Sequence, residues 1–142
     1  MTVVVVDASA AAAFILPSQA TGAARSFFDG RKPGEFLAPS IFTWEITNVM
    51  VRLGLRGVRG AAVEQAFDTI ATLEIAVQSP PSDPQVFEIA RHALQVGLSV
   101  FDTAYLRLAI ERDCALASRD DRLLAVARRF VPCFDLQGER LT

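Results

Sequence analysis

The sequence predicts a single α/β domain over residues 1–142, a three-layer α/β/α sandwich around a mainly parallel sheet of four or five strands. Three observations support this fold class. Short apolar runs alternate with longer segments of helical pattern, which is typical of parallel α/β sheets. The first run, residues 3–6, is valine throughout, as in a strand that is buried on both faces. The length of 142 residues suits one domain with a sizeable core.

The N-terminal half is predicted to hold two strands and four helices. Asp7 and Ser9 are residues that favour helix starts, so an alanine-rich helix follows the first strand and ends before Pro17. Ser18 can cap the next helix, and the glycines within residues 30–34 mark a loop. The predicted elements are a strand at 3–6, helices at 8–16 and 18–29, a strand at 35–38, and helices at 41–55 and 61–73.

The 41–55 helix is predicted from apolar positions that fit helical spacing only approximately. These positions are Ile41, Trp44, Val49, Leu53 and Leu55.

The C-terminal half is predicted to hold three strands and three helices. Gly97 is a typical C-terminal stop for a helix, and Pro132 is expected to place the last strand at a sheet edge. Ser82 or Asp83 can cap the helix before Gly97. The predicted elements are a strand at 74–78, helices from 82 or 83 to 96 and at 101–112, a strand at 114–117, a helix from 120 or 121 to 130, and a strand at 131–134.

Composition narrows the functional classes. The net charge is −2, which lacks the strongly basic character of many nucleic-acid binders. The positive charge comes from thirteen arginines and Lys32, and arginine is well suited to phosphate, so a local arginine rim can coexist with an acidic total. Cys114 and Cys133 have no metal-ligand spacing and are expected to be buried free thiols in a reducing cytosol. With no basic leader and no membrane-length apolar run, a cytoplasmic protein without membrane contact is expected.

Four acidic residues stand near predicted strand ends or helix starts: Asp7, Glu45, Asp102 and Asp120. In open parallel sheets ligands bind beyond the carboxyl ends of the strands, so these side chains are expected to face one crevice. Crowded carboxylates repel one another unless a divalent cation joins them, and Mg²⁺ or Mn²⁺ prefers such oxygen ligands. Each residue also has a simpler interpretation: the aspartates could cap helices, Asp121 could replace Asp120 as the cap, and Glu45 could pair with an arginine.

Four motifs occur in series along the chain. They are Val-Val-Asp7-Ala8-Ser9; Pro39 followed by Trp44-Glu45-Ile46-Thr47-Asn48; Phe101-Asp102-Thr103-Ala104-Tyr105; and Leu116-Ala117-Ser118-Arg119-Asp120. In this order and spacing they resemble the PIN-domain family, and most closely its VapC-type toxins. The sequence departs from that pattern by one extra residue before Glu45, by Phe101 where tyrosine is common, and by Ser118 where threonine is usual.

The resemblance implies a Mg²⁺-dependent endoribonuclease, with Mn²⁺ as the other candidate ion. Asp7, Glu45, Asp102 and Asp120 would be the catalytic metal ligands, while Ser9, Asn48 and Ser118 would orient carboxylates or water. Water activated by the metal would attack an RNA phosphodiester and leave a 5′-phosphate and a 3′-hydroxyl. The candidates for phosphate contacts are the arginines close to these motifs: Arg52, Arg56, Arg59, Arg119 and Arg122.

VapC-like proteins also imply partners. The resemblance predicts a homodimer and a small cognate antitoxin that places an arginine at the acidic site. The early helices, within residues 8–29 and 41–73, are expected to offer apolar surface for those contacts.

Other functions fit the sequence less well. A phosphatase of the haloacid-dehalogenase type needs an Asp-x-Asp motif after the first strand, and Ser9 occupies the second position. No glycine-rich phosphate loop follows that strand, as a Rossmann domain would need. His92 is the only histidine, which leaves no histidine-based catalytic triad. A non-catalytic PIN-like RNA- or protein-binding module and a housekeeping PIN nuclease remain as alternatives; the intact acidic set counts against the first.

Overall fold

The computed structural model describes residues 2–139. The strands in this part of the chain are β1 (Val4–Val6), β2 (Phe36–Ala38), β3 (Ala76–Val77), β4 (Ala115–Ser118) and β5 (Cys133–Asp135). The α-helices in the same range are α1 (Ala8–Ile15), α2 (Gly22–Asp29), α3 (Ile41–Leu55), α4 (Gly60–Leu73), α5 (Asp83–Val96), α6 (Val100–Arg112) and α7 (Asp121–Ala127).

The five strands form one parallel sheet in the order β3-β2-β1-β4-β5. The predicted fold class is therefore confirmed. The chain first builds outward from β1 toward β3, and then crosses back to add β4 and β5 on the other side. Strands β1 and β4 flank the position where the order reverses, and parallel α/β sheets bind their ligands at such positions.

Helices cover both faces of the sheet. Crossovers between parallel strands are right-handed in nearly all proteins. The connections β1 to β2 and β2 to β3 run toward one edge, whereas β3 to β4 and β4 to β5 run toward the other. Helices α1–α4 therefore lie on one face and α5–α7 on the opposite face. In agreement, α1 contacts α2, α3 and α4, while α5 packs on α6.

The centre of the sheet is dry. Val4, Val5 and Val6 in β1 are all buried, as are Phe36 in β2 and Leu116 in β4. A central strand has neighbours on both edges and helices on both faces, which is why β1 carries apolar side chains without alternation.

Of the five apolar positions from which α3 was predicted, Ile41, Val49 and Leu53 pack partly buried against the core, and the other two are exposed. Phe42, Ile46 and Met50 form the buried stripe, at the four-residue spacing of a helix face. Trp44 is 81% exposed and Leu55 is 83% exposed. The apolar pattern of this helix was ambiguous because both faces carry apolar residues.

The prediction that Ser18 caps a helix over residues 18–29 is wrong. Residues Pro17–Gln19 form a 3₁₀ turn, and α2 begins only at Gly22. The cap is Thr21, whose Oγ1 accepts a hydrogen bond from the Ala24 amide at 3.0 Å. The same hydroxyl donates to the Leu136 carbonyl at 2.8 Å, so a contact with the C-terminal segment fixes where this helix starts.

Several helices and strands begin or end a few residues away from their predicted bounds. Glu74 takes a left-handed conformation (φ 48°) that ends α4, so β3 contains only Ala76–Val77. Helix α7 stops at Ala127 instead of residue 130. Strand β5 begins after Pro132, which has no amide hydrogen to offer the sheet. The thiols of Cys114 and Cys133 are free, as predicted, but only half-buried.

Among the described helices, none has by itself the length and hydropathy of a membrane span. The pair α5 and α6 reaches those values only when both are counted together across a bend of 101°.

Candidate metal centre

Asp7 stands at the carboxyl end of β1, and its side chain is almost fully buried, with 5% exposed. Its Oδ1 accepts a hydrogen bond from the Ala10 amide at 2.8 Å and another from the Ser9 hydroxyl at 2.7 Å. Asp7 therefore does cap α1, as the simpler interpretation holds. The cap uses Oδ1, and the second oxygen points toward β4.

Ser118 connects the ends of β1 and β4. Its hydroxyl donates to Asp7 Oδ2 at 2.5 Å and accepts a hydrogen bond from the Asp120 amide at 2.9 Å. Ser9 Oγ lies 3.3 Å from Ser118 Oγ and accepts from the Arg119 amide at 3.1 Å. The two serines that were expected to orient carboxylates thus contact Asp7 directly and hold it against the β4–α7 loop.

Asp120 caps α7. Its Oδ1 accepts hydrogen bonds from the amides of Arg122 at 2.9 Å and Leu123 at 3.1 Å. Asp121 does not take that position, because its Oδ1 accepts from the Gln137 amide group instead. Asp120 Oδ2 accepts no hydrogen bond from any described residue, so it can still bind a ligand.

Asp102 reaches the site from a helix. It lies in the first turn of α6, as predicted, and this helix packs against β1 and β4. It is also not the cap of that helix. Ser99 fills this role, since its Oγ accepts from the Asp102 amide at 3.0 Å. The Asp102 carboxylate is therefore not used by the helix start.

Glu45 is held by a residue to which the sequence assigned no role. The buried Tyr105 hydroxyl donates to Glu45 Oε1 at 2.6 Å and thereby links α6 to α3. Tyr105 follows Asp102 by three residues, so both lie on one side of α6. That spacing was the signal in the sequence, but the partner of the hydroxyl is 60 residues away and could not be read from it.

The charges of these carboxylates interact. Burial raises the pKa of Asp7 to about 6, and the Asp102 charge adds to that increase while the hydrogen bonds from Ser118 and Ser9 oppose it. Burial also raises the pKa of Asp102, followed by repulsion from Asp120 and from Glu45. The negative charge of Asp102 is therefore opposed by those of the other three predicted carboxylates.

Among residues 2–139, no basic side chain forms an ion pair with these four carboxylates. Within the same residues no three acidic, histidine or cysteine side chains converge into a ready-made metal cage. The donors are all hard oxygens, and Mg²⁺ commonly uses few carboxylates and keeps several waters. This donor set fits Mg²⁺ or Mn²⁺ better than a thiolate- or imidazole-binding metal.

The other predicted residues differ in their contacts. Asn48 is exposed and makes no side-chain hydrogen bond to a described residue. Arg119 donates to the Gln19 carbonyl at 3.1 Å, and Arg122 donates to the Gly97 carbonyl at 3.1 Å. The charge of Arg122 also lowers the pKa of Asp102, which places this guanidinium near the acidic cluster. The side chains of the α3 arginine Arg52 and of Arg56 and Arg59, which follow α3, are exposed.

Known proteins share the sequence pattern and the fold of this chain. The family model described as "PIN domain" matches residues 4–129. Among solved structures, PAE2754 from Pyrobaculum aerophilum superposes with a TM-score of 0.71 at 19% identity, over 94% of this chain and 90% of that chain. FitAcB from Neisseria gonorrhoeae superposes with a TM-score of 0.62 at 17% identity, over 93% of this chain and 96% of that chain. At these identities the two structures share the fold. A comparison with curated proteins gives no match.

Proposed function

Because this chain belongs to the PIN-domain family, whose members are generally nucleases, we propose that it is a Mg²⁺-dependent endoribonuclease of the VapC type. Its substrate would be RNA, and its physiological role would be that of the toxin in a toxin–antitoxin pair.

One observation carries the catalytic part of this proposal. A buried carboxylate, Asp7, lies at the reversal point of the sheet, and its charge is opposed by that of Asp102. Asp102 in turn interacts with Glu45 and Asp120. Like charges held close together, with no ion pair to a basic side chain among residues 2–139, lower the stability of the fold. Such an arrangement is expected where a cation and a phosphate group bind.

The chain's own residues would hold the reacting groups. Asp7 and Asp102 would be the principal ligands of the cation, with Glu45 and Asp120 completing its surroundings directly or through water. A bound divalent cation lowers the pKa of water and offsets negative charge that develops on a phosphoryl oxygen. Ser118 and Tyr105 would keep Asp7 and Glu45 in place, so that binding of the ion requires little rearrangement.

RNA would reach the centre as an unpaired strand. Splayed nucleotides can place a single phosphodiester at a recessed site, whereas a duplex keeps its phosphates on the outside of a rigid helix. Arg122, whose charge acts on Asp102, and Arg119, which directly follows β4, would contact the neighbouring phosphates. Arg52 and Arg56, near the end of α3, are candidates for more distant phosphates.

The test of the enzymatic proposal is cleavage of an unstructured RNA with Mg²⁺ and with EDTA, by wild type and by Asp7→Asn. Cleavage by wild type should require the ion. Asp7→Asn should no longer cleave the RNA, although it remains folded. Asp29→Asn, an exposed aspartate at the end of α2, is the matched control and should cleave normally. Undiminished cleavage by Asp7→Asn would contradict the assignment of that residue.

Exposed apolar residues on α3 and α4 support a protein partner. Trp44 and Leu55 are more than four-fifths exposed, Val51 is half exposed, and Phe67 on α4 is 37% exposed. The expectation that residues 8–29 also offer apolar surface is wrong, because none of the large apolar side chains exposed among residues 2–139 lies in that segment. A cognate antitoxin would therefore cover α3 and α4. The same surface allows a homodimer, which sedimentation of the purified protein would detect.

The toxin role can be tested in cells. Expression of the chain alone should arrest growth, and co-expression of the gene that lies upstream should relieve the arrest. Absence of arrest by a protein that cleaves RNA in vitro would favour a housekeeping nuclease.

A further inference from the structure

A groove of about 620 Å³ follows α6 from Val100 to Arg112, and none of the four acidic residues lines it. Its walls come from the start of α3, the segment after β3, and the helices α5 and α6. Pro80 and Val86 form part of its apolar lining, while Gln78, Arg107 and Arg112 supply polar groups. The volume lies in the range of small-molecule pockets in proteins, which is roughly 300–1,000 Å³.

The groove meets the candidate metal centre along two helices. Phe101, which lines the groove, immediately precedes Asp102 on α6. Ile41, on the opposite wall, lies about one helical turn before Glu45 on α3. The end of the groove that Phe101 and Ile41 line is therefore the end nearer to the carboxylates.

The charged groups of the groove balance one another. Arg107 lies 3.6 Å from both Glu88 and Glu111, and Arg112 donates to Gln78 Oε1 at 2.6 Å. Two acidic and two basic side chains give no net attraction for a phosphate. The groove therefore favours a neutral occupant that has both an apolar face and polar edges.

Gln78 has a fixed orientation. Arginine can only donate hydrogen bonds, so the Gln78 oxygen must face Arg112. The amide nitrogen donates to the Ala76 carbonyl at 3.1 Å. One donor and one acceptor position of this amide remain unused, which is the pairing that the hydrogen-bonding edge of a nucleobase offers.

We propose that this groove is a nucleobase subsite, in which a base next to the cleaved phosphodiester stacks on Phe101, while the following base presents its edge to Gln78, farther along the groove beside Arg112. Phe101 is 54% exposed, so its ring is available for stacking. This inference rests on the proposed ribonuclease function and adds a source of sequence preference to it.

The experiment uses a fluorescent, unstructured oligoribonucleotide that contains all four bases and whose cut position has been mapped with the wild-type protein. A series of these RNAs carries a single abasic nucleotide at each position in turn. The kcat/KM for cleavage is measured for wild type, Phe101→Ala and Phe87→Ala. Phe87 is the matched control, since it is 57% exposed on α5 but does not line the groove.

For wild type we expect one abasic position beside the cut to lower kcat/KM by about fivefold to a hundredfold, the range for loss of one base–aromatic stack. Phe101→Ala should lower kcat/KM for intact RNA by a similar factor and should show no further loss at that abasic position. Phe87→Ala should behave as wild type. Gln78→Ala should change which base is preferred at the following position, while the exposed Gln95→Ala on α5 should not.

Two results would overturn the subsite. A uniform response to the abasic series, with Phe101→Ala equal to Phe87→Ala, would show that no base enters the groove. A change of oligomeric state in Phe101→Ala, with unchanged kcat/KM, would instead identify the groove as a contact between two copies of the chain. If wild type cleaves none of the intact RNAs, the proposed ribonuclease function itself fails.

Discussion

At the scale of a single residue, the charged form of Asp7 lowers the stability of the fold, although it is the form that would bind a cation. Its carboxylate caps α1 and accepts hydrogen bonds from Ser9 and Ser118, yet its pKa is raised to about 6 because burial disfavours the charged form. In the absence of a cation the ionised Asp7 is therefore destabilising. An uncharged side chain at this position would make the folded protein more stable.

This predicts a pH-dependent stability difference for Asp7→Asn in EDTA. An unfolded Asp7 ionises near pH 3.8 and the folded one near 6, so the wild type loses stability as the pH rises between these values. Asparagine retains a capping oxygen and cannot ionise. Relative to wild type, the variant should gain up to about 3 kcal/mol in unfolding free energy between pH 4 and pH 8. Urea unfolding at several pH values measures it, and a constant difference would contradict the raised pKa of Asp7.

Tyr105 illustrates a hydroxyl that positions a carboxylate. Removing it with Tyr105→Phe leaves Glu45 without its partner at 2.6 Å. We expect RNA cleavage to fall by about 10- to 100-fold, the usual effect of losing a group that orients a metal ligand. The affinity for Mg²⁺, measured by calorimetry, should fall with it.

The matched control for that variant is Thr103→Val. Thr103 is also a buried hydroxyl on α6, but it donates to the Ser99 carbonyl at 2.8 Å and touches no carboxylate. Both variants should lose about 1 kcal/mol of stability, and only Tyr105→Phe should lose activity. Equal activity losses would indicate that α6 packing, and not the bond to Glu45, is what matters.

At the scale of elements, the start of α2 depends on a contact across the chain. Thr21 is buried and uses one hydroxyl for two purposes: it caps α2 and binds the carbonyl of Leu136. The segment after β5 is thereby fixed to the second helix.

Thr21→Val should cost about 2–4 kcal/mol, because the helix loses its cap and a buried carbonyl loses its partner. Ser18→Ala is the control that separates the predicted cap from the observed one. Ser18 is exposed and makes no capping bond, so its replacement should change stability by less than about 0.5 kcal/mol. Chemical denaturation of both variants measures this, and similar losses would restore Ser18 as the cap.

At the scale of the whole molecule, the order of strands brings the acidic side chains together. Asp7 follows β1 and Asp120 follows β4, and these neighbouring strands are more than a hundred residues apart in sequence. Helices α3 and α6, which contribute Glu45 and Asp102, are joined by the bond from Tyr105. The four carboxylates lie near the C-terminal ends of β1 and β4, although the net charge of the whole chain is only −2.

A cation that binds these four carboxylates should stabilise the folded protein. Mg²⁺ at a hundred times its dissociation constant would add about 2.7 kcal/mol. We expect MgCl₂ to raise the melting temperature of wild type by several degrees over NaCl at matched ionic strength. Asp7→Asn should lose that rise, whereas Asp29→Asn should keep it. Equal melting temperatures in the two salts would argue against a cation bound to these carboxylates.

Local patterns in the sequence were sufficient for much of the architecture. The valine run gave β1, the predicted bounds of α3 agree with Ile41–Leu55, and Ser82 and Gly97 mark the two ends of α5. These features depend on hydrogen bonds and burial within a few residues, so residue type and spacing encode them. The positions of the four acidic residues were predicted in the same way, from motifs that each occupy a short stretch.

Tertiary structure decided what lies between distant segments. The bonds from Tyr105 to Glu45, from Ser118 to Asp7 and from Thr21 to Leu136 span 60, 111 and 115 residues. Which face of α3 is buried and how α6 presents Asp102 also follow from packing. The physical reason is that the local pattern of residue types specifies the helix or strand that contains it. The partner of a side chain depends instead on how whole elements pack in the folded domain.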